Sequence, residues 1–199
     1  MVSPLKNANF RLVFASRFMF QMGIATVQQF LQYWIGDCVS VDMSPSRAVS
    51  IALIPLLTLS PLGALAIPKS RRKVVVYAAA ALMALSCVLM IVTTYFYAAL
   101  AVSGIFGLGY GPFLSVEFAM LMDVLPSKDD AARDISLWHT ALVLPQIVAS
   151  PIAGWVRDGF QPLGTQWDVQ CLGYKVMFSV CLLYFLAGVG ITRRIAGIH

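Results

Sequence analysis

Charge is what this chain of 199 residues has least of: 12% of its residues are Asp, Glu, Lys or Arg, about half the share found in an ordinary soluble domain. Against that stand 59% hydrophobic residues and a mean hydropathy of +0.80. A water-soluble globule of this size still exposes about a third of its unfolded area, and too few polar side chains exist to cover it. Lipid is therefore the expected solvent. Cysteine and histidine are also scarce, four and two, with no CxxC pair and no metal-like spacing. No nucleophile and base are arranged for catalysis, so neither an enzyme, a metal nor a cofactor is expected. The opening MVSPLKNANF is too short and polar for a secretory signal. No acid precedes Asp37, a pattern that suits mitochondrial import but also follows from the charge bias described next.

What is present is a series of long apolar runs. At about 20 residues per crossing, spans are expected at about 10–36, 48–67, 74–93, 97–122, 135–156 and 173–192, with 1–9 and 195–199 as inner segments. The fold class is thus an all-α membrane protein of six transmembrane helices. Span three is apolar all round and is expected to face lipid broadly. Of the 14 Lys and Arg residues, this topology places ten on the N-terminal side and three, Arg47, Arg157 and Lys175, on the other, with Arg17 inside the membrane. Cytoplasmic loops carry such an excess, so both termini are expected inside. The basic run PKSRRK at Pro68 to Lys73 then belongs to an inner loop, and no nucleic-acid partner is implied. Plasma membrane and mitochondrial inner membrane both remain compatible.

The first span carries a polar stripe. Arg17, Gln21, Gln28 and Gln32 fall within roughly 60° on a helix of 100° per residue. A mid-membrane arginine costs at least about 2.5–3.5 kcal/mol on insertion scales, so the stripe must meet protein or a wet cavity. It serves either as interhelical hydrogen-bonding glue or as a solute pathway. Counted at 1.5 Å per residue, Arg17 and Glu117 lie roughly 10 and 9 Å from the inner ends of spans one and four, which predicts an ion pair, structural or gating. Asp123 is the second choice of partner.

GIFGLGYGP in span four has no preceding strand, so it is not a phosphate loop. Gly104, Gly107 and Gly111 share one face and predict close approach of a neighbouring helix. Pro55, Pro61, Pro145 and Pro151 lie inside spans two and five, where neighbouring helices must re-satisfy the freed carbonyls. His139 reads as a packing residue or a proton relay. Cys87 and Cys181 read as packing thiols, whereas Cys38 and Cys171 both fall in outer loops and can pair if that compartment is oxidising.

Four stretches carry a resemblance. They are NFRLVFASRFMFQMG (Asn9 to Gly23), GLGYGPFLSVEFAMLMDVLP (Gly107 to Pro126), AARDISLWHTALVLPQIVASPIAG (Ala131 to Gly154) and GYKVMF (Gly173 to Phe178). In colinear order they resemble the C-terminal six-helix halves of sugar-carrier-like members of the major facilitator superfamily. The resemblance implies that the first and fourth helices line a central cavity, that the second and fifth contact the other half, and that the third and sixth stand outside. By that analogy Arg17, Gln21, Gln28, Gln32 and Glu117 face the cavity. The family's inner-loop motif G-x-x-x-D-R-x-G-R-R is only partly kept: Gly63, Arg71 and Arg72 match, while Ile67, Pro68 and Ser70 replace Asp, Arg and Gly.

Alternating access rocks one half against another, and 199 residues supply one half. Two readings follow. The chain is a half-transporter that needs a second six-helix half, its own copy or another chain, through spans two and five to move a small polar solute. Alternatively, it is a transport-incompetent structural subunit of a larger membrane complex, such as an energy-converting assembly.

Overall fold

The computed structural model describes residues 7–65, 72–125 and 131–195. They form six helices: α1 (Ala8–Cys38), α2 (Pro45–Leu65), α3 (Arg72–Val92), α4 (Phe96–Val124), α5 (Ala131–Gln166) and α6 (Leu172–Arg193). The Asn7 side chain caps α1 by accepting from the backbone N–H of Asn9 at 3.0 Å and of Phe10 at 3.3 Å, satisfying donors that have no partner within the helix. Helices α2 to α6 are long and apolar enough to cross a membrane, and the protein is an integral, multi-pass membrane protein. Helix α1 is long enough, at 31 residues, but its arginines and glutamines dilute it.

Helix α5 departs most from expectation. It runs 36 residues, continuing ten beyond the expected outer boundary at Val156. The polar extension stays helical because its side chains bond locally and to α6: Arg157 Nη2 lies 2.6 Å from Asp158 Oδ1, Arg157 Nη1 donates to Tyr174 Oη at 3.3 Å, and Gln161 Oε1 accepts from the Gly173 N–H at 3.0 Å. At 1.5 Å per residue it is about 54 Å long, so part of it projects past a hydrocarbon core about 30 Å thick.

Helix α1 packs on α5 and α6, α4 packs on α2 and α3, and α3 packs on α6. Exchanging α1 with α4, α2 with α5 and α3 with α6 maps these contacts onto one another. Three helices per unit invert the second unit relative to the first, which is the inverted-repeat plan of many membrane carriers. The aromatic centre lies where the units meet: Phe20 stands 4.6 Å from Phe113 and 6.3 Å from Phe185 between ring centroids. Gly23 and Gly188 make room, since a Cβ on either would come within 2.8 Å of the Phe185 or Phe20 ring.

Span three packs along one face and stays open along the other, where Val74, Leu85, Val88 and Val92 are exposed. Helix α3 buries Val76, Ala79, Ala80, Met83 and Cys87 against α4 and α6, because a second unit covers the face that an all-apolar sequence leaves unassigned. The helices with least internal cover are α2 and α5, each 22% buried over its most apolar window against 56% for α4.

The glycine face of α4 meets α2. A Cβ at Gly107 would collide with the Leu56 carbonyl and one at Gly111 with the Ser60 carbonyl, while Gly109, on the opposite side, lies against the Ala79 carbonyl of α3. Pro112 lacks the N–H that would bond the Leu108 carbonyl. That carbonyl faces Gly63, where an added Cβ would stand 2.6 Å from its oxygen, so the absence of a side chain lets α2 approach a group that α4 cannot satisfy itself.

The helix ends on the side away from the N-terminus are tied together. Cys38 and Cys171 form a disulfide across 133 residues, the Tyr174 hydroxyl donates to Asp37, and the Ser40 N–H donates to the Thr94 carbonyl at 2.8 Å. A cross-link over so long a loop restricts the unfolded chain strongly. Cys171→Ser is expected to lower stability by about 2–4 kcal/mol, read as unfolding temperature in detergent. Reductant should lower the unreplaced protein to the same value and leave the variant unmoved.

Candidate functional site

Three helices meet in the half of the bundle away from the disulfide. Arg17 of α1 places Nη1 3.0 Å from Glu117 Oε2 of α4, and its guanidinium carbon lies 3.5 Å from the ring centroid of Trp138 of α5, within the range of a cation–π contact. Phe118 and His139 meet the same indole at 5.9 and 5.6 Å between centroids. Trp138 carries no signal of its own in the sequence beyond its place beside His139. His139 is exposed and meets that ring edge-on, at 66° between planes.

Arg17 and Glu117 are 4% and 5% exposed, and Gln21 is 2% exposed. All three are enclosed by neighbouring helices in this structure. The helical wheel placed them on one side of α1, and α4 and α5 cover α1 there. Arg17 Nε, Glu117 Oε1 and Gln21 Nε2 have no hydrogen-bond partner among the described residues.

Asp123 does not serve Arg17. It pairs with Arg72 of α3, which also donates to the Ala119 carbonyl at 2.7 Å. Asp123 lies nearly two helical turns beyond Glu117, at the inner end of α4, where α3 begins. Of the three matching inner-loop positions, Gly63 makes the close approach described above and Arg72 makes this ion pair, while Arg71 lies outside the described residues.

The outer half of α1 is different. Gln28 and Gln32 are exposed, and no hydrogen bond is formed by Gln28 within the described residues. Gln32 donates to Ser46 Oγ of α2 at 3.1 Å. Gln29, which the stripe did not include, donates to the Gln146 carbonyl of α5 at 2.8 Å; its place next to Gln28 was the available signal. With exposed Tyr33 these side chains span an arc of roughly 140° on α1, open between α2 on one side and α5 on the other.

Away from this cleft, a polar recess of about 520 Å³ opens beside the disulfide, with Asp37, Gln161, Thr165 and Asp168 among its lining. Cys87 and Cys181 are free and buried. Among the described residues no group of three or more His, Cys, Asp or Glu side chains is placed to hold a metal ion.

No family model and no curated protein matches the sequence. Two crystal structures of tetrameric PepTSo2, in different space groups, match it with TM-scores of 0.78 and 0.79 at 19% identity, over 94% of this chain. The fold is major facilitator-like. This chain spans 40% of the length of each PepTSo2 chain. The likeness is one of fold, and it does not support the sugar-carrier-like subgroup.

Proposed function

We propose that this chain is one half of a secondary transporter, completed by a second six-helix half on the same or another polypeptide, and that it moves a small, polar, uncharged solute. All six helices cross the bilayer in this reading, α1 among them, since α1 is buried through residues 20–27 by its neighbours. Both termini lie inside, in keeping with the ten-to-three bias of basic residues and with a disulfide on the other side, where an oxidising compartment preserves it.

One observation supports the reading above all: the open amide arc. Gln28 stands ten residues, about 15 Å, below the outer end of α1, near the middle of a bilayer core about 30 Å thick. A primary amide facing acyl chains there would lose its hydrogen bonds to water without compensation. A wet cleft between two halves removes that cost. The cleft offers groups that both donate and accept, Gln28, Gln32 and Tyr33, while the two charges at depth are paired and enclosed, which favours a neutral hydroxyl- or amide-bearing solute over an ion.

Arg17 and Glu117 then act as a brace that positions α1, α4 and α5, with no substrate contact. That enclosure also favours the second reading, a transporter-derived structural subunit that no longer moves solute. Uptake of radiolabelled neutral polyols into vesicles separates the two. Gln28→Leu and Gln32→Leu are each expected to reduce uptake about threefold to tenfold, the worth of one neutral hydrogen bond, with folding unchanged. Vesicles that contain both halves and take up no solute would support the structural subunit.

A further inference from the structure

We infer that the open α1–α2–α5 face is covered by a second copy of this chain, related by a two-fold axis normal to the membrane. The inference rests on the half-transporter reading and names the missing half.

A two-fold interface brings a surface against itself, so the surface must be self-complementary. This face satisfies that condition in charge. Between Arg47 at the outer end of α2 and Asp123 at the inner end of α4, no exposed side chain of α1, α2 or α4 carries a charge, apart from Asp37 and Arg11 at the two ends of α1. On α5 the stretch from Ile135 to Val156 is likewise uncharged. Arg17 and Glu117, which would repel their own copies if they faced the axis, are spent on each other at 3.0 Å. The polar groups that do face outward are amides and hydroxyls, each able to donate to and accept from an identical group.

Orientation agrees as well. The same bias of basic residues sets every copy the same way up, and an axis normal to the membrane preserves that direction, whereas an in-plane axis would reverse it. Rotation about an axis in front of α1 exchanges left and right, so α2 of one copy meets α5 of the other. The depths on those helices match. Leu56 of α2 lies level with Gly107 of α4, and Glu117 lies ten residues, about 15 Å, further in. Glu117 is level with Arg17 and Trp138, and Ile147 of α5 lies nine residues, about 14 Å, back out from Trp138. Leu57 and Ile147, 63% and 64% exposed, therefore stand at one depth on the two helices that would meet.

The test is site-directed cross-linking of the full chain in native membranes. Leu57→Cys and Ile147→Cys chains bearing different tags are co-expressed and treated with a short bis-maleimide. The native thiols do not interfere, since Cys38 and Cys171 are bonded to each other and Cys87 and Cys181 are buried. The expected product is a heterotypic dimer carrying both tags, at least tenfold above either variant expressed alone. The Leu57→Cys/Ile147→Cys double variant should close at the dimer without a ladder of higher species. A ladder, or a cross-link only to a chain of different sequence, would overturn the two-fold pairing, as would a single copy per particle by native mass spectrometry. Uptake without a homodimer leaves transport standing and removes the second copy. A homodimer without uptake does the reverse.

Discussion

Glu117→Leu is expected to destabilise the protein by about 3–5 kcal/mol, and the double variant Arg17→Met/Glu117→Leu to recover most of that loss. The single change leaves the Arg17 guanidinium enclosed among α1, α4 and α5, against the Trp138 ring and without its carboxylate partner. An unpaired charge in that setting has neither water nor a counter-ion. The double change replaces both ions with apolar side chains, removes the unpartnered Arg17 Nε and Glu117 Oε1, and fills similar volume. Arg17→Met alone should fall near Glu117→Leu, because it strands the other member of the pair. Unfolding temperature in detergent, together with the yield of monodisperse protein, measures all three. Equal losses in the double and single variants would show that the pair contributes specific contacts that apolar packing cannot replace, and the brace would then be more than electrostatic.

Gly111→Val is expected to cost at least about 3 kcal/mol, the upper range for overpacking, and Gly107→Val nearly as much. At both positions the obstacle is a carbonyl of the facing helix, Ser60 or Leu56, and backbone cannot swing aside as a flexible side chain can. Helix α2 would have to withdraw from α4 along its length, opening the seam that also holds Gly63 against the Leu108 carbonyl. Gly190→Ala in α6 is the control: an added Cβ there meets nothing within 4 Å. It should raise stability by about 0.5–1 kcal/mol, the helical cost of glycine relative to alanine. If Gly111→Val unfolded no earlier than the control, the α2–α4 seam would be looser than its geometry indicates.

These two sites also differ in how far they could be read in advance. The spacing of Gly104, Gly107 and Gly111 announced a close helix contact, but nothing in it named α2 as the partner. The Arg17 and Glu117 pairing was legible because two ionisable groups at one membrane depth have few other ways to be tolerated. Trp138, which completes the cluster, was not, since an aromatic residue in an apolar helix has many acceptable neighbours. The partner of Asp123 was not legible, since nothing in the sequence of α4 says that Arg72 begins α3 beside it.

Composition and periodicity alone established that lipid is the solvent, that the chain is a set of apolar helices, and that Arg17, Gln21, Gln28 and Gln32 share one side of the first. They could do so because hydropathy and azimuth are properties of a single helix. Which of those four side chains is enclosed and which lies open was decided only by the tertiary structure. Helices α4 and α5 enclose the Arg17 side chain, whereas Gln28 lies on a face of α1 that no neighbour covers, even though α5 bonds the adjacent Gln29, and which face of a helix its neighbours cover depends on residues far away in the chain.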